Sequence, residues 1–83
     1  MYYFYILRCS DNSLYCGQTT DLARRVKEHN VSTKKSAKYT KSRRPVKLVY
    51  SEKFSSVSDA LKREYEVRHW TKKKKESFVF GKP

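Results

Sequence analysis

Apolar and polar positions along this chain change period several times, and each change marks an element. Residues 2–8, Tyr-Tyr-Phe-Tyr-Ile-Leu-Arg, form an aromatic and β-branched run with apolar side chains on both faces. The pattern predicts a strand covered on both sides. Asp11-Asn12-Ser13 supply a turn and Leu14-Tyr15-Cys16 a short second strand, so residues 2–16 predict a β-hairpin that ends at Gly17. A glycine there lets a backbone or ligand approach closely. Thr19 or Thr20 is the expected cap of a helix over 21–30, with Asp21 in its first turn complementing the dipole. Leu22, Val26 and His29 share one face of it, while Arg24 and Lys27 point elsewhere.

Residues 31–45 show no clean period and predict a long basic loop, at a length that usually signals function. Alternation returns at 46–52, with Val46, Leu48 and Tyr50 on one face of a third strand and Lys47 and Val49 on the other. Ser56 or Ser58 starts a second helix reaching Trp70, with Leu61, Tyr65 and Val57 as its expected buried stripe and Lys62, Arg63, Glu66 and His69 on its polar side. Thr71 caps a final short helix over 72–79, whose Phe78 and Val79 dock back on the body. The order β-β-α-β-α-α predicts one mixed α/β (α+β) domain over 1–83, core 2–79: a small mixed three-stranded sheet flanked by helices.

Charge changes the picture. Twenty Lys/Arg stand against eight Asp/Glu, a net +12 with both histidines neutral. Positive charge of that density on a small body attracts polyanions, chiefly nucleic acid or an anionic membrane surface, and its bland alternative is a solubilising lysine-rich coat; nucleic acid is the expected partner. It is concentrated: residues 24–50 carry ten Lys/Arg and one acid, Glu28. Lys34, Lys35, Lys38, Lys41, Arg43 and Arg44 of the loop are the expected phosphate contacts. Tyr39 among them either stacks on a base or anchors the loop to the core. Lys72 to Lys75 form a second block, which reads equally as a solvated face. Arg8 interrupts the N-terminal apolar run too early for a signal core, and no stretch is long enough to span a bilayer. Cys9 and Cys16 read as reduced thiols, and with His29 and His69 they lack the short paired spacings of structural zinc modules. The expectation is a cytoplasmic, monomeric protein that binds no membrane.

No nucleophilic-serine motif, phosphate-binding glycine loop or HExxH occurs; tyrosine, arginine, histidine and glutamate remain. Tyr3-Phe4-Tyr5, Tyr15-Cys16-Gly17, Arg25 and His29 resemble the GIY-YIG nuclease superfamily, in particular its small stand-alone bacterial members. Ser13 to Gly17, Thr20-Asp21-Leu22, Glu28-His29-Asn30, Ala37-Lys38-Tyr39-Thr40, Arg44-Pro45 and residues 60–65 extend the resemblance over nearly the whole chain. It implies a GIY-YIG endonuclease-like fold and hydrolysis of phosphodiesters, expectedly in DNA and open to direction by DNA structure, with one Mg²⁺ or Mn²⁺ ion. It also implies the roles. Tyr5 and Tyr15 match the tyrosines of the two motifs, with Tyr15 the base or proton relay and Tyr5 orienting water or phosphate. Arg25 and His29 match the helix pair, and Glu64 the metal-binding carboxylate.

Elementary chemistry supports those assignments. Arg25 stays charged and offers a fork to a phosphate oxygen. His29, four residues on, shares its helical face and relays a proton near neutral pH. A single carboxylate suits a hard cation whose other ligands are water and phosphate. The chain departs from the family's pattern in carrying Tyr3 and Phe4 for glycine and isoleucine, Cys16 within the second motif, and no asparagine after Glu64. No appended domain is expected either, and a partner protein is then the expected source of substrate choice. The alternative is a non-catalytic nucleic-acid-binding module on the same scaffold.

Overall fold

The computed structural model describes residues 1–32 and 34–80; position 33 of the basic loop and 81–83 of the expected domain lie outside it. The elements are β1 (Tyr2–Arg8), β2 (Leu14–Thr19), α1 (Leu22–Val31), α2 (Lys38–Lys41), β3 (Lys47–Phe54), α3 (Val57–Arg68) and α4 (Lys72–Phe80). Strand order is β2-β1-β3, with both neighbours antiparallel to β1. The expected sheet flanked by helices is thus present, and the one addition to the expected order is α2, a single turn inside the basic loop.

β1 is central, which explains its two apolar faces. Phe4 and Ile6 project into one core with Cys16, Tyr50 and Val67, closed by Trp70, Phe78 and Val79. Tyr5 and Leu7 project into the other, with Cys9 and Val46, against Leu22 and Val26 of α1 and against Tyr15. The β1–β2 turn is set by Asn12, whose φ of 69° lies in the left-handed region that asparagine tolerates. Asp11 reinforces it by accepting from the Ser13 amide at 3.0 Å.

Three local expectations need correction. Asp21 is the N-cap of α1 rather than a first-turn residue: its carboxylate accepts from the Arg24 amide at 3.1 Å, and its own amide donates to Thr19 Oγ1 at 3.2 Å. The alternation of β3 breaks at a bulge. Ile6 pairs with Tyr50 but Leu7 with Leu48, so Val49 is an inserted residue that joins Tyr50 against the first core, and Leu48 is left exposed.

The third correction concerns α3. Its buried residues are Ala60 and Val67, while Val57, Leu61 and Tyr65 are 42, 46 and 68% exposed. The helix is turned by about 100° from the expected orientation, the angle separating adjacent residues on a helix. The small side chains bring α3 close to β1, and Trp70 and Phe78 fill the layer that Leu61 and Tyr65 would have filled. Arg63, on the supposed polar side, is drawn in by Glu52 at 2.8 Å. Caps at both helices agree with the sequence: Ser56 Oγ accepts from the Asp59 amide at 3.2 Å, and Thr71 Oγ1 from the Lys74 amide at 3.1 Å.

Candidate active site

The free edge of β2 and the α2 and α3 segments enclose a cavity of about 340 Å³ lined by Leu14, Tyr15, Cys16, Tyr39, Glu64, Arg68 and Lys75. Tyr15 and Glu64, expected to work together, share this wall. Glu64 comes from the face of α3 that this rotation of about 100° turns inward, which is why the rotation matters. Burial pushes its carboxyl above the usual range, against the opposing pull of Arg68. The pair is loose: Arg68 Nη1 donates to Glu64 Oε2 at 3.5 Å, and the Arg68 side chain is 64% exposed. Glu64 is therefore a half-buried carboxylate without a firm partner among the described residues.

Tyr15 stacks on Tyr39, ring centroids 5.7 Å apart, and meets the His29 ring edge-on at 5.3 Å. Arg43 lies over the Tyr39 ring at 3.9 Å and donates to the Tyr39 carbonyl at 2.9 Å. Tyr39 therefore anchors α2 to the site wall. Burial raises the Tyr15 phenol above its ordinary value, with Arg25 opposing.

Behind Tyr15 sits a buried polar chain. Tyr5, His29 and Thr40 are 2, 0 and 0% exposed. Tyr5 Oη lies 2.9 Å from His29 Nε2, and His29 Nδ1 lies 2.8 Å from Thr40 Oγ1. The Ala37 amide also points at Nδ1, at 3.5 Å, and the Ala37 carbonyl accepts from the Thr40 hydroxyl at 3.0 Å as well as from the Lys41 amide. His29 is thus held at both ring nitrogens, by the Tyr5 hydroxyl on one side and the Thr40 hydroxyl on the other. Burial and the nearby Arg25 cation lower His29 to about 4, keeping the imidazole neutral. Burial pushes Tyr5 up to about 12, although Arg25 pulls the other way. Gly17, opposite Tyr5 in the ladder, makes room for the phenol: a Cβ there would stand 2.4 Å from Tyr5 Oη. Sequence reasoning foresaw a close approach at Gly17 but not its partner, and missed Thr40 as a site residue. Thr40's signal lay in the Ala37-Lys38-Tyr39-Thr40 run.

Arg25 completes the group at the rim. Its Nη1 donates to Glu28 Oε1 at 3.0 Å and to the Lys35 carbonyl, tying α1 to the loop. Arg25 and Glu64 both act electrostatically on both phenols. The five expected residues are thus brought together in unequal positions: Tyr15 and Glu64 on the cavity wall, Tyr5 and His29 buried behind, Arg25 half-exposed beside them.

The loop cations divide into two kinds. Lys34, Lys35, Lys38 and Lys41 are exposed. Arg44, expected on phosphate, instead caps α1: it donates to the His29 carbonyl at 2.7 Å, to the Ser32 carbonyl and to Ser36 Oγ at 3.0 Å. A helix C-terminus leaves carbonyls unpaired, and a guanidinium fork satisfies several at once. Arg43 is likewise engaged, with Asp11 at 3.0 Å. Asn30 finishes the stitching by pairing with both backbone groups of Val46, at 2.9 and 2.7 Å. No helix among the described residues is long and apolar enough to cross a membrane.

A strand-borne tyrosine pair, a helix arginine and histidine and a lone glutamate, set around a three-stranded antiparallel sheet, define a known class. Residues 1–77 match the GIY-YIG catalytic domain, and the chain belongs to that family. Within it, the chain is similar to small proteins named UPF0213. One from Staphylococcus haemolyticus is 53% identical over 74 residues, 89% of this chain and 88% of that protein. YazA of Bacillus subtilis is 49% identical over 78 residues, 94% of this chain and 77% of its own length. The solution structure of a UPF0213 protein from Bacillus halodurans superposes with a TM-score of 0.63 at 47% identity, covering 99% of this chain and 86% of that one.

Proposed function

We propose that the protein is a divalent-metal-dependent endonuclease that hydrolyses phosphodiester bonds in DNA. The observation that carries this reading is Tyr15 and Glu64 on one cavity wall, with Arg25 beside it and the buried Tyr5–His29 pair behind, in a strongly basic protein.

Among the described residues no three His, Cys, Asp or Glu side chains group as a metal cage. What the site offers is one half-buried carboxylate, held loosely by an exposed arginine that swings away at little cost. That fits a hard cation which keeps most of its waters and takes a single protein ligand besides the substrate phosphate. Glu64 would hold Mg²⁺ or Mn²⁺, which supplies an acidified water and charge for the developing phosphorane. Arg25 would neutralise a non-bridging phosphate oxygen. A phenol above pKa 10 is ionised less than about one part in a thousand at pH 7. Tyr15 therefore serves as a relay, taking a proton from the attacking water as its own passes to an oxygen of the phosphate. His29 does not touch substrate; it stays neutral and fixes the Tyr5 hydroxyl in place through their hydrogen bond. Lys34, Lys35, Lys38 and Lys41 would follow the backbone.

The test incubates the purified protein with duplex, nicked and branched DNA plus Mg²⁺ or Mn²⁺, beside Glu64→Ala. Salt-sensitive binding by both and cleavage only by the parent are expected. Binding without cleavage by either assigns the protein to the alternative, a nucleic-acid-binding module. The internal engagement of the Arg25 guanidinium by Glu28 and Lys35 favours that alternative.

A further inference from the structure

Val57, Leu61 and Tyr65 recur every four residues, so they form one stripe about 12 Å long on α3. They point outward, and Tyr65 is the most open of the three at 68%. Apolar surface of this kind marks a contact site when it is contiguous and rimmed by polar groups.

Its surroundings select the occupant. At about 100° per residue, Leu61 lies some 60° round the helix from Glu64 and Tyr65 about 100°. Arg68 falls between Glu64 and Leu61, and Arg68 and Glu64 both line the Tyr15 cavity. The stripe is therefore continuous with the cavity wall. Cations frame it, Arg68 on the cavity side and Lys62 on the far side, both exposed. The remaining acids of the helix, Asp59 and Glu66, lie about 100° or more away from Leu61 and Tyr65, where Glu66 pairs with Arg63 at 2.7 Å. An apolar strip between positive charges complements a ligand with flat apolar faces strung on a polyanion. Tyr65 has a second ring beside it, His69, with centroids 4.3 Å apart, which extends the ledge.

We propose that Tyr65, supported by Leu61 and His69, is a stacking ledge for an unpaired base of the nucleic acid whose backbone enters the Tyr15–Glu64 cavity. The proposal rests on the nucleic-acid reading of that cavity and adds a substrate class to it. Bases inside an intact duplex have both faces covered by their neighbours and cannot use the ledge. Gapped, flapped or branched DNA offers a free face, and stacking on an aromatic side chain is sequence-tolerant. Selection is then for a structure rather than a sequence.

The experiment measures fluorescence anisotropy in EDTA, so that no cutting enters, with a duplex and with the same duplex carrying a short single-stranded gap. Wild type, Tyr65→Ala and Tyr65→Phe are compared, each first shown to melt like the parent. Tyr65→Ala is expected to weaken gapped DNA about tenfold, within the range for one base stack, and intact duplex less than about twofold. Tyr65→Phe restores gap binding, and 2-aminopurine in the gap is quenched by the parent but not by Tyr65→Ala. Equal losses on both DNAs, or no loss on either, overturn the ledge. So does sedimentation showing a dimer that Tyr65→Ala dissociates, which would assign the stripe to a second copy of this chain. Because cutting plays no part, these outcomes are independent of the endonuclease reading. A protein that never cleaves can still show the gap preference, and one that cleaves can lack it.

Discussion

Acidification from pH 7 to 5 acts on a single buried side chain of the site before it reaches most carboxylates. His29 is fully buried, with Tyr5 on one ring nitrogen and Thr40 on the other, and its pKa falls from the ordinary 6.5 to about 4. The unfolded chain takes up this proton from about pH 6.5 downward and the folded chain only near 4, so stability rises with pH throughout that window. At 1.36 kcal/mol per pH unit the full effect is about 3 kcal/mol, of which about 2 develops between pH 7 and 5. Urea unfolding of wild type and His29→Gln at both pH values isolates the contribution, because the carboxylates are common to the two proteins. Wild type is expected to lose about 2 kcal/mol more than the variant over that interval. In parallel, the carbon-bound protons of His29 in the wild-type NMR spectrum should show no titration step until close to pH 4. Equal pH slopes for both proteins, or a step near 6.5, would refute the neutral buried histidine and with it the orientation assigned to Tyr5.

Gly17→Ala forces a methyl into the space of the Tyr5 hydroxyl. It should cost about 1–3 kcal/mol in unfolding experiments and remove cleavage while far-UV circular dichroism stays native. Arg44→Met strips the cap from the end of α1 and should lower stability by about 2 kcal/mol in urea, with Arg44→Lys recovering only part because one ammonium cannot serve three separated acceptors. Replacing Lys34, Lys35, Lys38 and Lys41 by Gln should flatten the plot of log affinity against log salt by about 0.9 for each lysine on a duplex phosphate, with no change in melting temperature.

The central strand and the inner face of α1 were legible because their patterns are one-sided statements about burial. A run apolar on both faces has to lie between layers, and Leu22, Val26 and His29 point one way. The errors arise where neighbours outside the element decide. One inserted residue at Val49 reverses the faces of β3, and nothing within residues 46–52 distinguishes it from its neighbours. Hydrophobic periodicity placed Leu61 and Tyr65 inside, but Trp70 and Phe78 already occupy that layer, so the helix packs through Ala60 and Val67 instead. The site followed the same division. Residue types and order pointed to Tyr5, Tyr15, Arg25, His29 and Glu64 through the family resemblance. Which cation meets solvent and which one closes a helix is a property of three-dimensional proximity, so Arg44 could not be told from Lys41 along the chain. Thr40 was legible only as the end of the Ala37-Lys38-Tyr39-Thr40 run, since its role comes from the ring nitrogen it faces.

Paramagnetic relaxation by Mn²⁺, read from the amide NMR spectrum with an uncleavable phosphorothioate DNA bound, locates the ion relative to every element at once. The proposed placing of one phosphate between Tyr15, Glu64 and Arg25 predicts broadening centred on residues 14–16, 25 and 64–68, and its loss in Glu64→Gln at unchanged DNA affinity. Broadening that survives in Glu64→Gln, or that centres on Asp11 or Glu76 instead, would contradict metal-assisted cleavage at this cavity.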